Sequence, residues 1–249
     1  MRKKIYILLF LLINITSLSA QQKDGTYTFL NVTNSARVAA LGGTMLPIYD
    51  SDIQLTTFNP SLINSEVNNS MALSYVDYFN DINFGTIQYG RSFEKLGSFV
   101  ATIQYHNYGD FYYSDETGYI DETQFSVSDY SVNLGWGRQL NKKFTIGANL
   151  KFAGIQYENN SAFAIAVDVA GTYKTESNWV LSLVARNIGA ELYNNYQAYR
   201  NKLPFKMQAG FSKKLEHLPL TMVVIYDNLQ QWDLSYEDPL DLEGNYDPM

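Results

Sequence analysis

The sequence predicts an all-β fold, a transmembrane antiparallel β-barrel, and three observations lead to this fold class. From Ser70 to about Asn228 the chain alternates apolar and polar residues with period two, which places them on opposite faces of strands. Each clear segment runs about 9–11 residues, the length that a tilted strand needs to cross the hydrocarbon layer, whereas strands of soluble sandwiches are commonly nearer 5–6. The connections between segments also alternate between short and long.

Four segments show the alternation most clearly. Their apolar faces are Tyr130, Val132, Leu134 and Trp136, then Phe144, Ile146, Ala148, Leu150 and Phe152, then Phe163, Ile165, Val167, Val169 and Tyr173, then Phe205, Met207, Ala209 and Phe211. The opposite faces are rich in Gly, Ala, Ser, Asn and Thr, as a narrow interior requires. In weaker segments Val100, Val180 and Val184 interrupt the polar face, and the apolar phase switches between Phe84 and Ile87, which indicates a bulge. The count is about nine strands by the alternation test.

Aromatic residues cluster at the ends of these apolar faces. They include Tyr130, Trp136, Phe144, Phe152, Tyr173, Trp179, Phe205, Phe211 and Tyr226. Aromatic girdles at both membrane interfaces are typical of transmembrane barrels.

The connections support the same fold class. Alternate connections are short, at residues 93–96, 140–142, 174–177 and 213–216, and the long ones, 107–123 and 187–202, fall on the other side. This separation is that of periplasmic turns and outer loops. The long loops are rich in Tyr at 110–116 and 193–200, so they are the candidate partner surface. Ordinary variability of outer loops explains the same composition equally well.

The N-terminus predicts export. A basic start (residues 1–4), an apolar run (5–13) and small residues (17–20) form a signal peptide at 1–20, cleaved after Ala20. A membrane anchor helix needs about 20 apolar residues, roughly twice this run. No Cys is present, which excludes lipid attachment, disulfides and thiolate chemistry. The formal charge of −7 becomes −10 when the three basic residues of the signal are removed, and so acidic a chain is unsuited to nucleic acid.

Residues 21–69 differ from the barrel predicted for 70–249. Ser35 to Gly43 has a Ser cap, helical spacing of small apolar residues and a glycine stop. Pro60 restrains Asn59 and predicts a turn at 58–62. The segment is apolar enough to need burial, which favours a plug in the lumen over a flexible leader.

No constellation of catalytic, cofactor-binding or metal-binding residues stands out, so no such residue is assigned and an enzyme is not expected. His106 and His217 are far apart in sequence; the first is expected near the outer end of a strand and the second in a turn. Asp50 and Asp52 supply two carboxylates for a cation but lack further oxygens, so a solvated leader loop is favoured. The Gly-Trp-Gly at 135–137 lies inside a strand and is therefore not a phosphate loop.

The C-terminal end departs from the barrel pattern. A further strand is expected to begin at Trp232 to Tyr236, but the chain then becomes acidic and ends without an aromatic-terminated strand. Bacterial barrels have even strand numbers, and about nine is odd. The favoured interpretation is that the sequence is a fragment of a longer barrel.

Several blocks resemble the FadL-like outer-membrane barrels, and within them the group that contains the PorV and PorQ proteins of the type IX secretion system. They are residues 35–43, Asn59-Pro60, 81–85, 104–111, 128–130, 144–151, 203–205 and 208–215, and the finer pattern is most similar to the PorQ proteins. Ser61 departs from the Ala that is usual after Asn-Pro in the family. The resemblance implies about fourteen strands, with roughly 90 residues missing at ~10 residues per strand plus loops.

The resemblance also implies a function. PorQ-like proteins of Bacteroidetes-type bacteria hold the soluble component PorZ at the cell surface, within the complex that receives type IX cargo. A similar role here implies a non-enzymatic outer-membrane anchor, with lipid, a PorZ-like protein and other attachment-complex components as partners, and with no cofactor or nucleic acid. The alternative is a FadL-like transporter of hydrophobic small molecules, which requires an apolar pocket with a few polar groups inside the barrel.

Overall fold

The computed structural model of the chain describes residues 26–33, 35–114, 119–195 and 201–231. These residues form one nine-stranded sheet, preceded by short helical turns. The strands are β1 (Met71–Asp77), β2 (Asn83–Phe93), β3 (Gly97–Ser114), β4 (Ile120–Gln139), β5 (Phe144–Tyr157), β6 (Asn160–Lys174), β7 (Trp179–Asn194), β8 (Lys206–Lys214) and β9 (Thr221–Tyr226). In this part of the chain, every helix is too short or too polar to cross a membrane. The predicted all-β class and the count of nine strands are confirmed for these residues.

The sheet is a simple antiparallel meander. Each strand pairs with its sequence neighbours, so the spatial order is β1 through β9 without a crossover. Short connections between consecutive strands favour this order. Because the direction reverses at every step, β1 and β9 run in the same direction. Both are edge strands of the described sheet.

The N-terminal segment (residues 26–33 and 35–68) lies against one face of the sheet. It contains the 3-10 turns Thr28–Asn31, Ile53–Thr57, Pro60–Leu62 and Ser65–Val67 and one short helix, α1 (Ala36–Ala40). We call the face that it covers the inner face and the opposite one the outer face.

The predicted start and stop of the helix in this segment are confirmed. The Ser35 hydroxyl accepts a hydrogen bond from the Val38 backbone N–H at 3.3 Å, which is the N-cap interaction. Gly42 follows the helix with φ +101°, a conformation that L side chains rarely adopt. The turn at Pro60 is also present, and the side chain of Asn59 caps it by accepting from Ser61 N at 3.0 Å.

The bulge predicted in β2 is wrong. β2 pairs with β3 continuously from Asn83 to Phe93, without a shift in register. The alternation in β2 is broken because Phe84, an apolar residue, lies on the inner face with the polar residues. Its ring centroid there is 4.8 Å from that of His106. Register shifts occur instead between β3 and β4 and between β6 and β7.

The short connections lie at one end of the sheet and the predicted long loops at the other, as predicted. The lengths predicted for the long loops were too great. The short turns are at 94–96, 140–143, 175–178 and 215–220, and we call their side the turn end. At the opposite end, the loop end, β3 and β4 continue far into the expected loop 107–123, and β7 continues to Asn194 in the expected loop 187–202. Tyr, Phe and Thr favour strands, but both faces of this hairpin are exposed, so its sequence does not alternate between apolar and polar residues. The alternation test therefore missed the extended ends of the strands.

Three predictions fall on residues outside the described ranges. These are the signal peptide at 1–20, the further strand beginning at Trp232 and the part of the Tyr-rich loop at 196–200.

Candidate functional site

The two faces of the sheet have the reverse of the usual polarity. The outer face exposes large apolar side chains, such as Leu73, which is 70% exposed, and Tyr226, which is 66% exposed. Inner-face residues are mostly small or polar and are buried, including Thr86, Gln88, Thr102, Gln104, Ser131, Asn133, Thr145, Asn149, Thr172, Ser182, Gln208 and Ser212. An antiparallel sheet in water normally exposes its polar face. So extended an apolar surface needs a non-aqueous neighbour.

Aromatic side chains mark both ends of this apolar outer face. At the turn end Phe144 pairs with Tyr173, and the ring centroids of Trp179 and Phe211 are 6.5 Å apart. The Lys213 ammonium lies 5.3 Å from the centroid of the Trp179 ring. Towards the loop end, exposed aromatics of the outer face include Tyr75, Tyr105, Tyr130 and Phe152.

Apolar side chains of the N-terminal segment pack on the inner face at three places. One cluster joins Tyr27, Phe29 and Leu30 to Ala153, Ile155, Ala162, Ala164, Ala166 and Leu203. A second joins Val38, Met45, Leu46, Leu55, Phe58 and Leu62 to Val184, and a third joins Ile53, Ile63 and Val67 to Val100. Two of the three valines that interrupt the polar faces in the sequence, Val100 and Val184, are therefore contact points for this segment. Each is an inner-face position that meets apolar partners of the segment.

Three inner-face glycines allow the segment to approach the sheet closely. A Cβ built on Gly147 would meet the carbonyl of Pro60 and would lie 2.5 Å from Ser61 N, and one on Gly137 would meet Ile63. Any larger residue would push residues 60–63 away from the strands. A Cβ on Gly135 would likewise lie 2.7 Å from Ile63 Cδ1, so both glycines of β4 make room for the N-terminal segment. Both lie inside a strand, as predicted.

A chain of hydrogen bonds connects the Asn-Pro turn to the sheet. The Asn59 side-chain amide donates to Leu46 O at 2.8 Å and to Thr172 Oγ1 at 3.2 Å. The hydroxyls of Ser61 and Thr172 are 2.6 Å apart, and that of Ser182 lies 2.7 Å from Thr172. All of these side chains are buried, so each bond satisfies a group that water cannot reach.

A buried ion pair lies at the centre of the inner face. Lys151 of β5 and Asp168 of β6 are 2% and 0% exposed, and Lys151 Nζ is 2.7 Å from Asp168 Oδ2. Asp168 also accepts from Asn187 N at 2.8 Å and from Asn149 Nδ2 at 3.2 Å, while Lys151 Nζ donates to Asn187 Oδ1 at 2.9 Å. Three strands, β5, β6 and β7, therefore contribute to one hydrogen-bonded network.

Arg186 of β7 joins this region to the N-terminal segment. It is 1% exposed and donates from Nη2 to Leu30 O at 3.0 Å. Its guanidinium lies 4.7 Å from the centroid of the Phe58 ring. Both contacts belong to the segment, so a charged side chain of the sheet is buried by residues more than a hundred positions away.

Tyr27 and Glu191 form a second link near the loop end. The Tyr27 hydroxyl donates to Glu191 Oε2 at 3.0 Å, and Asn201 donates to the same carboxylate from its backbone N at 3.1 Å and its side chain at 3.0 Å.

Sequence reasoning placed Lys151 and Asp168 on polar faces but did not predict these networks. A charged residue midway along the polar face of a long strand was the available signal, since a buried charge must find a partner. Lys151, Asp168 and Arg186 each fit that description.

The structure favours the solvated-loop interpretation of Asp50 and Asp52. Arg37 bridges both carboxylates, with Nη2 at 2.6 Å from Asp50 Oδ2 and Nη1 at 2.8 Å from Asp52 Oδ2. The hydrogen bonds to Asp50 and then to Asp52 raise the pKa of Arg37 above its usual value. An arginine already occupies the space between the two carboxylates and offsets one of their two charges. Among the described residues, no group of three His, Cys, Asp or Glu side chains is arranged for a metal ion.

The two histidines lie in the expected elements. His106 is in β3 towards the loop end, where it is fully buried between the rings of Phe29, at 5.6 Å, and Phe84, at 4.8 Å. His217 lies exposed in the turn between β8 and β9.

The candidate partner surface at the loop end is built differently from the prediction. Residues 110–114 belong to β3 and face β4 across a paired ribbon, rather than forming a loop. Phe111 and Phe125 are direct partners with ring centroids 5.6 Å apart. Tyr193 is the penultimate residue of β7 and is 55% exposed.

Two cavities lie beside the N-terminal segment. A cavity of about 10 Å³ lies between the segment and β1–β3, lined by polar side chains that include Gln54, Ser74 and Gln88. A larger one of about 270 Å³ opens at the turn end beside Tyr49 and Lys174.

Comparison with known proteins does not identify a family. No family model matches the chain. A search of curated proteins also found no match.

Proposed function

We propose that this protein is an outer-membrane β-barrel whose interior is plugged by its N-terminal segment, and that it anchors a surface protein in type IX secretion. The observation that carries the membrane part is the reversed polarity of the sheet. An apolar outer face bordered by aromatics suits lipid, and a polar inner face covered by the chain's own N-terminus suits a barrel interior.

Closure of the barrel sets a condition on the strand number. The two edges, β1 and β9, run in the same direction, so they cannot pair with each other in an antiparallel ring. An antiparallel closure needs an odd number of further strands between them, because only an even total alternates all the way round. The family that the sequence resembles has about fourteen strands, five more than the nine described, and five is an odd number as this condition requires.

The contacts between the N-terminal segment and the inner face support anchoring over transport. Three buried apolar clusters and several hydrogen bonds, including the one from Arg186 to Leu30 O, connect the segment to the inner face. A transporter of hydrophobic molecules needs an apolar route, whereas the cavity of about 270 Å³ at the turn end is lined by Lys142, Lys143, Lys174 and other polar residues. The role in secretion and the PorZ-like partner rest on the resemblance.

The membrane part is tested by expressing the full chain with its signal peptide in a Bacteroidetes host. The protein is expected in the outer-membrane fraction, resistant to carbonate extraction. Recovery in the periplasmic fraction or in the carbonate wash would contradict a barrel.

The anchoring role is tested by deleting the gene in its native host. We expect the PorZ-like component to leave the cell surface and type IX cargo to lose its attachment. If both stay in place and growth on a hydrophobic nutrient is lost instead, transport is the better interpretation.

A further inference from the structure

The cavity of about 270 Å³ at the turn end is lined mainly by polar and basic side chains. Lys142 and Lys143 come from the turn between β4 and β5, and Lys174 is the last residue of β6. Among the described residues of the lining, Glu176 is the only carboxylate. The cavity therefore brings three ammonium groups to one place.

Two neighbouring turns position these lysines. β5 pairs with β6 as far as Phe144 and Tyr173, so the turn before β5 and the turn after β6 lie side by side. Lys174 N donates to Lys143 O at 2.7 Å across the two turns. The Asn141 side chain accepts from Lys143 N and from Phe144 N, each at 2.9 Å. Hydrogen bonds thus hold the backbone that carries the lysines.

The cavity opens at the mouth of the inner face. Asp168 and Thr172 of β6 are buried on that face, and Lys174 continues their row to the end of the strand. Thr145 is buried on the same face of β5 and also lines the cavity. The lining is therefore on the inner side of the sheet, away from the apolar outer face.

Tyr49 forms the wall of the cavity that belongs to the N-terminal segment. It packs against the second apolar cluster, and Pro47 O nearby accepts from the Ser212 hydroxyl at 2.5 Å. Lys174 Nζ lies 4.7 Å from the centroid of the Tyr49 ring. A ring face attracts a cation without neutralising its charge, so Lys174 is held at the cavity and keeps its positive charge.

The charges of the lining do not balance. Lys143 Nζ is 3.1 Å from Glu176 Oε1, so these two charges offset each other. Neither Lys142 nor Lys174 forms an ion pair with a described residue. Two positive charges remain, which is close to the charge of a phosphate monoester near neutral pH.

The surroundings of the cavity have the same sign of charge. At the turn end, residues 91–97, 138–143, 174–178 and 213–217 contain eight Lys or Arg residues and three Glu residues, a net charge of +5. The whole chain carries −7. A cleft lined by one sign of charge concentrates ions of the opposite sign, so the turn end attracts anions to the cavity.

The size and donors of the cavity favour a phosphate group. Sites for drug-sized ligands usually have about 300–1,000 Å³, so this one suits a smaller group. Gln139 and Asn178 add amide groups to the lining, and Tyr49 adds a hydroxyl. Lysine is a common ligand of phosphate because its ammonium carries a full charge and three donors. A carboxylate, with a single negative charge, would leave one ammonium unmatched.

We propose that the cavity at the turn end binds a phosphate group between Lys142 and Lys174. This inference goes beyond the anchoring role and does not depend on it. A soluble phosphate and the headgroup of a phospholipid share this chemistry, and the experiment below distinguishes the two sources.

Binding is tested by calorimetric titration of inorganic phosphate into the full chain in dodecyl maltoside micelles, which contain no phosphate. We expect saturable binding that weakens at high salt. Lys174→Met keeps an apolar stem but removes the ammonium and should weaken binding about tenfold, the effect of losing one hydrogen bond between charged groups. Lys142→Met should have a similar effect while the contact between Lys174 and Tyr49 stays in place.

Lys95→Met is the matched control. Lys95 lies exposed in the turn between β2 and β3 at the same end of the sheet and is not part of the lining. Its loss removes the same charge and should leave the dissociation constant unchanged. Absence of saturable binding, or an equal loss in Lys95→Met, would overturn the proposal. A loss confined to the two lining variants, with the circular dichroism of the parent, supports it.

The source of the phosphate is tested by repeating the titration in micelles that contain phosphatidic acid. Loss of the phosphate signal supports the site and identifies a lipid headgroup as its occupant, whereas an unchanged signal supports it with a soluble phosphate as occupant. Gene deletion tests the anchoring role separately. If the chain binds phosphate but its deletion leaves the PorZ-like component at the surface, the phosphate site stands and the anchoring role fails.

Discussion

The buried ion pair between Lys151 and Asp168 offers the most demanding test of what stabilises the inner face of the sheet. Asp168→Asn preserves the size of the side chain but removes its charge. The carboxylate now accepts three hydrogen bonds, from Lys151 Nζ, Asn187 N and Asn149 Nδ2. After the substitution, Lys151 and Arg186 are buried on the same inner face without a negative partner in this network.

The expected loss in the free energy of unfolding follows from the loss of the negative charge that compensates Lys151. Removing one member of a buried ion pair costs about 3–5 kcal/mol, because an uncompensated charge stays in a low-dielectric interior. Replacing both members by neutral groups is far less costly. The double variant Asp168→Asn with Lys151→Met is therefore expected to recover at least about 1.5 kcal/mol relative to the sum of the single changes.

The assay is equilibrium unfolding by guanidinium in lipid vesicles, followed by tryptophan fluorescence. Asp227→Asn is the matched control, because Asp227 pairs with Lys206 at 3.5 Å and its side chain is 40% exposed. Its loss should cost less than about 1 kcal/mol. If Asp168→Asn costs no more than this control, or if the double variant is simply additive, the network does not stabilise the interior as described.

Three further predictions address the N-terminal segment. Gly147→Val should cost about 1–3 kcal/mol by forcing Pro60 away and should speed proteolysis of the segment; Gly85→Val, which meets nothing within 4 Å, is the control. Ser35→Ala removes the cap of α1 and should cost about 1 kcal/mol, seen as faster amide exchange at Val38 but not in the strands. Arg37→Ala should cost less than about 1 kcal/mol, and added Ca²⁺ should leave the melting temperature of the parent unchanged; a rise would revive a cation site at Asp50 and Asp52.

Sequence periodicity predicted the strands well because side-chain alternation is a local property. The inner-face positions of Thr145, Asn149 and Lys151 could be read directly from β5. The same reasoning failed at Phe84, where an apolar residue on the inner face was interpreted as a bulge. Its reason for being there is the ring of His106 on the neighbouring strand, which a pattern along one segment does not contain.

The loop end shows the same limit. The Tyr-rich stretch from 110 was interpreted as a loop, but it is paired strand, and the bulge at Gly109 decides which face its rings occupy. One extra residue in a strand moves every following side chain to the opposite face. Only the pairing with β4 reveals this shift.

By itself the sequence determined the strands, the turn positions, the capped helix and the apolar outer face, since each depends on residues close together in the chain. Only the tertiary structure decided that Val100 and Val184 receive the N-terminal segment, that Arg37 bridges Asp50 and Asp52, that Lys151 pairs with Asp168, and that Arg186 meets Leu30. These contacts join groups that are distant in sequence. They form because buried charges and apolar side chains must find partners wherever the folded chain brings them together.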